Sequence, residues 1–421
     1  MSASTNSPAR ILMASLVGTT IEFFDFYIFA TAAVLVFPHL FFPASDPTSA
    51  VLQSFATFSI AFFARPLGAA LFGHFGDRIG RKATLVAALM TMGLSTVLIG
   101  FLPGYDRIGV LAPLLLALCR FGQGLGLGGE WGGAVLLATE NAPPRKRSWY
   151  AMFPQLGAPI GFVLSAGSFL ALTETLSNAD FLAWGWRIPF IASFLLVALG
   201  LYIRLRIAET PEFQKAIDAE ERVAVPLVVL LQSHKRALLL GTMVALATFV
   251  LFYLMTVFTL SWATSRLGYS REQYLVVQLI GVLFFGATIP LSAWLADRHG
   301  RRGVLLVATV CTGIFGLFME PLLGGGLAGA LAFNVIGLTL MGFNYGPIGA
   351  ALASPFPVSV RYTGASMTFN LAGIFGASLA PYIATWLAIH FSLAWVGYYL
   401  AAACGLTLVA MLVSRDAELS S

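Results

Sequence analysis

Charged residues are scarce in this chain of 421 residues. Asp, Glu, Lys and Arg together make up 10% of it, whereas a soluble domain carries about 25%. Hydrophobic residues make up 58%, and the mean hydropathy is +0.85. Because a water-facing fold of this size needs far more polar surface, this composition excludes a soluble globular protein.

Cysteine and histidine are also rare. The three cysteines all lie inside apolar runs, where a thiol behaves as a small core residue: Cys119, Cys311 and Cys404. The five histidines show no metal-ligand spacing. We therefore expect no disulfide, no structural metal and no cofactor. There is no Lys/Arg-rich tail and no interleaving of aromatic and basic residues, which argues against nucleic acid as a partner.

Long apolar runs make up most of the chain. A helix needs about 20 apolar residues to cross a bilayer, and twelve runs meet this need: 11–37, 51–75, 83–102, 108–140, 150–172, 186–205, 237–263, 273–296, 303–322, 327–354, 364–388 and 393–414. The first is too long for a signal-peptide core, so it should be retained as a helix. A β-barrel would need alternating segments. The runs predict an all-α integral membrane protein with twelve transmembrane helices.

The basic residues give the orientation. If both termini are cytoplasmic, the inner segments hold 18 of the 24 Lys and Arg residues, and the outer segments hold four. Short cytoplasmic loops carry such an excess. The two remaining cations, Arg65 and Arg120, lie inside helices. We therefore predict that both termini are cytoplasmic.

A polar segment at 206–236 divides the chain into two related halves, 1–205 and 237–421. Asp-Arg-x-Gly-Arg-Lys at 77–82 returns as Asp-Arg-x-Gly-Arg-Arg at 297–302. A second match relates 143–147 to 357–361. Internal duplication is a common plan of secondary transporters. The pattern predicts two pseudo-symmetric six-helix bundles joined by a cytoplasmic linker.

The duplicated loop is the most specific short motif. Gly80 and Gly300 permit a tight reversal, and the acidic residues can contact the other half and release it when it opens. The loops therefore supply candidate gating residues: Asp77, Arg78, Arg81, Asp297, Arg298 and Arg301. The alternative is an anchor of positive charge that only fixes topology.

Ionisable side chains inside predicted membrane helices are costly and mark candidate functional sites. They are Glu22, Asp25, Arg65, Arg120 and Glu130. Glu22 and Asp25 are three residues apart and share a helix face. The alternative is a buried ion pair that only fixes helix packing.

The duplicated loop resembles the hallmark loop of the major facilitator superfamily. Further strings resemble its metabolite:proton symporter family: 18–27, 65–68, 128–133, 184–190, 209–213 and 361–365. The resemblance implies two bundles around a central cavity in a bacterial-type inner membrane. It also implies proton-coupled uptake of organic acids such as shikimate, 2-oxoglutarate or citrate, or of zwitterions such as proline and betaine.

The resemblance assigns residue roles as well. In related symporters, a carboxylate at the position of Asp25 pairs with an arginine at the position of Arg120 and is implicated in proton coupling. In this chain Glu22 is the alternative carrier of the proton. Glu140 and Arg147 match an inner-gate element whose partner is Arg78 or Arg81. In the second half Ser354 takes the place of this glutamate, and Arg361 that of Arg147.

Substrate contacts are a further set of candidates. An intramembrane arginine can attract a carboxylate, and several other helices carry polar side chains. The set is Arg65, Arg120, Gln155, Tyr253, Asn344, Tyr345 and Asn370. For each uncharged member the alternative is a hydrogen bond between helices.

We therefore predict a monomeric proton-coupled symporter that imports a small organic anion by alternating access. A sugar or zwitterion carrier and a drug/proton antiporter are the rivals within transport. A membrane enzyme would need a nucleophile, a metal set or paired acids near the membrane surface. A sensor would usually carry a long soluble domain. Neither feature is present in the sequence.

Overall fold

The computed structural model describes most of the chain. Its described ranges are 8–43, 46–79, 81–143, 145–205, 226–357 and 360–414, with the backbone alone at 73–79, 81–85, Glu140 and Pro226. Every element in these ranges is helical.

Twelve membrane-type helices follow one another along the chain. They are α1 (Pro8–Leu35), α2 (Pro47–Ile79), α3 (Arg81–Phe101), α4 (in two segments, Leu111–Gly128 and Glu130–Glu140), α5 (Arg147–Thr175), α6 (Arg187–Leu205), α7 (Lys235–Ser265), α8 (Arg271–His299), α9 (Arg301–Gly316), α10 (Gly326–Ala353), α11 (Arg361–His390) and α12 (Leu393–Val413). Short helices lie at Phe37–Leu40, Tyr105–Ile108, Asn178–Asp180, Pro226–Ser233 and Met319–Leu323.

Ten of these helices are long and apolar enough to cross a membrane. Of the other two, α3 contains a shorter apolar helical stretch at Val86–Phe101 among the described residues, and α9 is a helix of 16 residues. Helices suit this environment because each satisfies its backbone hydrogen bonds within itself. The predicted all-α fold with twelve helices is confirmed.

The helix bounds differ from the prediction in two ways. The ninth helix, predicted at 303–322, ends at Gly316, and Met319–Leu323 forms a separate short helix. Pro321 lies in the first turn of that helix, where its missing N–H is tolerated. In addition, α7 and α11 contain wider π-helical turns at Leu254–Phe258 and Ile374–Ser378.

The helices before and after residues 206–225 form what we call the first half (α1–α6) and the second half (α7–α12). Within the first half α1 packs on α5, and within the second α8 packs on α10. Across the halves, α5 packs on α8 and α2 packs on α11. A candidate site between the halves is therefore bounded by these cross-half pairs.

Gly300 joins α8 to α9 with φ +92°. Residues with a Cβ rarely adopt this φ, whereas glycine does so without strain. The tight reversal expected at the second copy of the loop is therefore confirmed. Gly80, in the first copy, lies outside the described residues.

Glycines allow α2 and α4 to touch backbone to backbone. A Cβ added at Gly68 would overlap the main chain of Leu125, and one at Gly128 would overlap the carbonyl of Arg65. Small residues bring helices together in this way in membranes. The crossing fixes the position of Arg65 beside α4.

Gly68→Ala should lower the stability of the protein because the new methyl group must push α2 away from α4. Overpacking of this kind costs about 1–3 kcal/mol. Gly167→Ala is the matched control, since nothing lies within 4 Å of a Cβ there. Melting temperatures in detergent measure the difference. Equal melting temperatures of the two variants would show that the crossing of α2 and α4 tolerates a methyl group at position 68.

Candidate functional site

A cavity lies between the two halves and is lined by residues from both. Its volume is about 20 Å³ in this conformation, which is room for about one water. Eight of its fifteen lining residues are aromatic, so the walls are mostly ring faces and edges. The charged residues among those that line it are Glu22 from α1 and Arg65 from α2.

Glu22 and Arg65 are 3% and 5% exposed, so the two charges share a nearly dry space. They do not form an ion pair within 4 Å of each other. The guanidinium of Arg65 lies 4.8 Å from the ring centroid of Phe26 and 4.9 Å from that of Phe62. Within the described chain, one oxygen of Glu22 and Nε of Arg65 find no hydrogen-bond partner. Both groups retain bonding capacity at the cavity.

Asp25 is buried inside the first half and is not among the residues that line the cavity. Its carboxylate accepts a hydrogen bond from the Ser193 hydroxyl of α6 at 2.5 Å. The Thr96 hydroxyl of α3 lies beside the carboxylate and donates to the Met92 carbonyl at 3.0 Å. Asp25 is therefore bonded to α6 and lies against α3.

Arg120 does not contact Asp25, although the resemblance implied a direct pair. Its guanidinium donates to Gln123 Oε1 at 2.9 Å, and Gln123 donates to the Thr96 hydroxyl at 2.8 Å. A chain of hydrogen-bonded polar side chains therefore runs from Arg120 to Thr96, which lies beside Asp25. The reason is packing, because Arg120 lies against the rings of Phe26, Phe29 and Phe58 at 4.4, 4.1 and 4.8 Å.

Arg120 is fully buried and is not among the cavity-lining residues. It also donates to the Phe58 carbonyl at 3.2 Å. Rings separate it from the cavity: Tyr253, which lines the cavity, packs on Phe26 and Phe58 with centroids 6.1 and 5.7 Å apart. A substrate in this cavity would meet Arg65 and not Arg120.

Three members of the polar chain were not among the predicted site residues: Thr96, Gln123 and Ser193. Each is a polar side chain inside an apolar run, and Gln123 follows Arg120 by three residues on the same helix face. That spacing is the signal available for Gln123. Thr96 and Ser193 belong to other helices, and their proximity follows only from tertiary packing.

Glu130 forms an ion pair with Arg204 of α6. Glu130 is 2% exposed, so this intramembrane carboxylate is paired within the first half. Gly18 lies beside both side chains. The absence of a Cβ at Gly18 leaves room for this pair against α1.

The candidate substrate contacts fall into two groups. Arg65, Tyr253 and Tyr345 line the cavity. The remaining polar candidates, apart from Arg120, bond to protein groups: Gln155 to Trp131 and the Tyr345 carbonyl, Asn370 to the Gly128 carbonyl, and Asn344 to Thr309, Thr312 and the Leu340 carbonyl. Substrate contacts by this second group stay predictions. Those of Gln155 and Asn370 require the halves to separate, whereas the bonds of Asn344 lie within the second half.

The break in α4 is used as a contact between the halves. A helix that ends leaves carbonyls without an intrahelical partner. At this break, Asn370 donates to the Gly128 carbonyl at 3.1 Å and Tyr362 donates to the Gly129 carbonyl. The indole of Trp131 also stacks on Phe369, with centroids 3.7 Å apart. Together these contacts hold α4 to α11.

We call the end of the bundle that carries Asp297 the inner end, following the charge bias. There the Asp297 carboxylate accepts hydrogen bonds from the backbone N–H groups of Ser148 and Trp149, both at 2.9 Å. These N–H groups begin α5, where the helix dipole favours an anion. The second loop motif thus joins α8 to the first half.

The other gating candidates of the second half bond locally. Arg301 donates to Ser354 at 2.7 Å, and Arg361 donates to the Phe356 carbonyl at 3.0 Å. Arg298 lies over the ring of Trp294. Among the first-half candidates, Arg147 begins α5 with its side chain exposed. The side chains of the other four lie outside the described residues: Asp77, Arg78, Arg81 and Glu140.

The opposite, outer end is also closed. Arg271 of α8 donates to Asn178 at 2.8 Å and lies 5.6 Å from the ring centroid of Phe181. Ser59 of α2 donates to the carbonyl of Ser378 in α11. Cross-half contacts therefore exist at both ends, and the cavity between them is enclosed in this conformation.

The sequence matches the family model of sugar (and other) transporters over residues 11–225. It is 57% identical to the inner membrane metabolite transport protein YhjE of Escherichia coli, covering 98% of this chain and 95% of that one. It is 35% identical to the shikimate transporter of Escherichia coli, covering 99% and 96%. The proton:xylose symporter XylE of the major facilitator superfamily has a similar structure, with a TM-score of 0.72, 18% identity and coverage of 96% and 94%.

This chain belongs to the major facilitator superfamily. It is a metabolite transporter and not an enzyme, and it is a multi-pass inner-membrane protein. The superfamily expected from the duplicated loop is thereby confirmed. The central cavity of this transporter is the candidate site.

Asp297→Asn should weaken the closed inner end of the transporter. The amide can accept one hydrogen bond but loses the charge, and a hydrogen bond to a charged group is worth about 1.5–3 kcal/mol. We expect greater solvent access to a cysteine placed in the inner half of the cavity, together with slower uptake.

Asp106→Asn serves as the control for this experiment because Asp106 is exposed in the short helix Tyr105–Ile108. Labelling rates with a charged maleimide report the access. If Asp297→Asn labels at the wild-type rate, the contact with α5 does not hold the inner end closed.

Proposed function

We propose that this transporter imports a small organic acid together with protons. The single observation that carries the proposal is that Glu22 and Arg65 line the same enclosed cavity between the halves. A guanidinium is a strong partner for a carboxylate. A carboxylate beside it can gain or lose a proton as its surroundings change. One cavity therefore contains a guanidinium that can bind an organic acid and a carboxylate that can bind a proton.

We propose alternating access as the way in which this cavity reaches each side of the membrane. The contacts of Asp297 and Tyr362 would have to break before the inner end opens, and that of Arg271 before the outer end opens. Both sets join α8 or α11 to the first half. Movement of one half against the other can therefore exchange one set for the other.

The proposed gate includes residues from both halves. In the second half, Arg301 bonds to Ser354. The internal repeat relates these residues to Arg81 and Glu140, so we propose that this first-half pair stabilises the same closed state. We further propose that the inner end is cytoplasmic, that both termini lie there and that the protein works as a monomer.

Two carboxylates are candidates for carrying the proton. Glu22 faces the cavity, whereas Asp25 lies behind it in the chain that leads through Thr96 and Gln123 to Arg120. Position relative to the substrate favours Glu22 as the carrier. Asp25 then keeps α1, α3 and α6 in register and positions Arg120 through the chain.

The test uses purified protein in liposomes. Organic acids are first screened by thermal stabilisation, and the most strongly stabilising acid is then used for uptake with an acidic exterior. We expect accumulation above the external concentration and its loss on addition of a protonophore. Undiminished accumulation after the proton gradient has collapsed, with sodium absent, would rule out proton symport.

A zwitterion is the second candidate substrate. The cavity offers a carboxylate as well as a guanidinium, and aromatic rings bind quaternary ammonium groups. Glycine betaine in the same screen separates this candidate from the first.

A further inference from the structure

We propose that the substrate is a monocarboxylate with a compact, largely apolar body, and that Arg65 binds its one carboxylate while Glu22 takes up one proton for each anion carried. This inference rests on the proposed function and names the substrate class and the stoichiometry of the same cavity.

Arg65 is the single guanidinium among the described residues that line the cavity. Arg120 is not among the lining residues: it lies against three phenylalanine rings, and its Nε and one terminal nitrogen donate to the Phe58 carbonyl and to Gln123. A second carboxylate on the substrate would therefore be buried without a cation. Uncompensated buried charge is strongly unfavourable. The cavity suits one carboxylate and not two.

The walls define the rest of the molecule. Tyr27, Phe252, Tyr253 and Phe369 are among the rings that line the cavity, and the non-aromatic lining includes Ala245 and Met341. Ring faces and methyl groups pack against apolar surface. The uncharged polar groups of the lining are three tyrosine hydroxyls and one threonine hydroxyl. A compact ring with one carboxylate and few hydroxyls fits this surface.

Glu22 supplies the link between anion and proton. A carboxylate bound to Arg65 lies beside Glu22 in the same cavity, and two neighbouring carboxylates in a dry site share one proton. Entry of the anion therefore requires Glu22 to become protonated. Release of the anion allows the proton to leave. Binding of the substrate and of the proton support each other.

The charge balance gives a property that can be measured. In the empty cavity the charges of Arg65 and ionised Glu22 cancel. In the loaded cavity the charge of Arg65 is cancelled by the bound anion, because Glu22 is then neutral. Both forms that move across the membrane have the same net charge. Transport of one monocarboxylate with one proton is therefore electroneutral.

The first experiment compares ligands that differ by one group. Thermal stabilisation of the purified full chain is measured with cyclohexanecarboxylate, cyclohexane-1,2-dicarboxylate, shikimate, glycine betaine and xylose. We expect cyclohexanecarboxylate to stabilise the protein at least as strongly as shikimate, and the dicarboxylate, betaine and sugar to bind at least about tenfold more weakly. No stabilisation by cyclohexanecarboxylate, or stronger stabilisation by any of the other ligands, would overturn the inference.

Arg65→Gln tests the assigned cation. It should weaken binding of the monocarboxylate about 10- to 100-fold, which is the loss of a charge-assisted hydrogen-bonding partner. Arg107→Gln is the matched control because Arg107 is exposed in the short helix Tyr105–Ile108. Melting temperatures without ligand show whether each variant is folded. A folded Arg65→Gln protein with wild-type affinity would contradict the role of Arg65.

The stoichiometry is tested with a potassium diffusion potential set by valinomycin in liposomes. The initial rate of pH-driven uptake should be the same with the interior negative and with no potential. Faster uptake at a negative interior would overturn the one-to-one ratio while leaving proton symport intact. Failure of proton symport itself would instead appear as uptake that ignores the pH gradient, so the two failures are distinguishable.

Discussion

Glu22→Gln is expected to abolish accumulation of substrate while leaving exchange of internal for external substrate. A symporter that moves one proton with each anion accumulates its substrate about tenfold, or about 1.4 kcal/mol, for a gradient of one pH unit. Glutamine has nearly the size of glutamate but cannot take up a proton. The variant should therefore equilibrate its substrate and not concentrate it. Uptake under a pH gradient and counterflow, in the same liposomes, measure the two activities.

Asp25→Asn is the comparison for this experiment. Asparagine can still accept the hydrogen bond that Ser193 donates to Asp25, so we expect slower uptake with accumulation retained. If the proton is instead carried by Asp25, the two phenotypes will be exchanged. Accumulation at the wild-type level by Glu22→Gln would remove Glu22 from the coupling mechanism.

Arg120→Ala should be among the most damaging substitutions in the first half. It leaves Gln123 and the Phe58 carbonyl without their donor and opens a space among three phenylalanine rings. Large-to-small changes at buried sites cost about 2–5 kcal/mol. We expect a lower melting temperature and a loss of both uptake and exchange.

Arg120→Lys keeps a charge near the rings and should recover part of the stability, although it cannot reproduce the planar contacts of arginine. The melting temperatures of the two variants and of the Arg107→Ala control provide the comparison. An Arg120→Ala protein as stable as the wild type would show that the packing of the rings and the polar chain does not need this guanidinium.

The sequence was sufficient to predict the fold because membrane helices are specified locally. Runs such as those of α1 and α12 must be apolar and about 20 residues long, and this can be recognised without knowing their neighbours. The end of α9 could not be placed in this way, since the apolar run continues through the turn before Met319–Leu323. The π-helical turn at Leu254–Phe258 likewise left no clear pattern in the sequence.

The candidate site could be predicted only in part. Intramembrane charge identified Glu22, Asp25, Arg65 and Arg120 as unusual, but not which of them share a cavity. The structure separates Glu22 and Arg65 from Asp25 and Arg120 by helix rotation and by a layer of rings. Such separation depends on how several helices face one another. Residue spacing within one helix does not contain that information.

Asp297 illustrates the same difference at the inner end. The duplicated motif indicated that this carboxylate contacts the other half, whereas its partners are the N–H groups that begin α5. Backbone donors of this kind have no sequence signature of their own. They can be identified only once the helix end and the carboxylate are placed in space.

Proton movement caused by the substrate alone is the most direct test of the proposed coupling. Liposomes that contain the protein and a pH-sensitive dye, with equal pH on both sides, are mixed with the most strongly stabilising monocarboxylate. We predict that the interior becomes acidic, with one proton entering for each anion, and that Glu22→Gln liposomes show no such change. Uptake of the acid by the wild type without acidification of the interior would contradict the account.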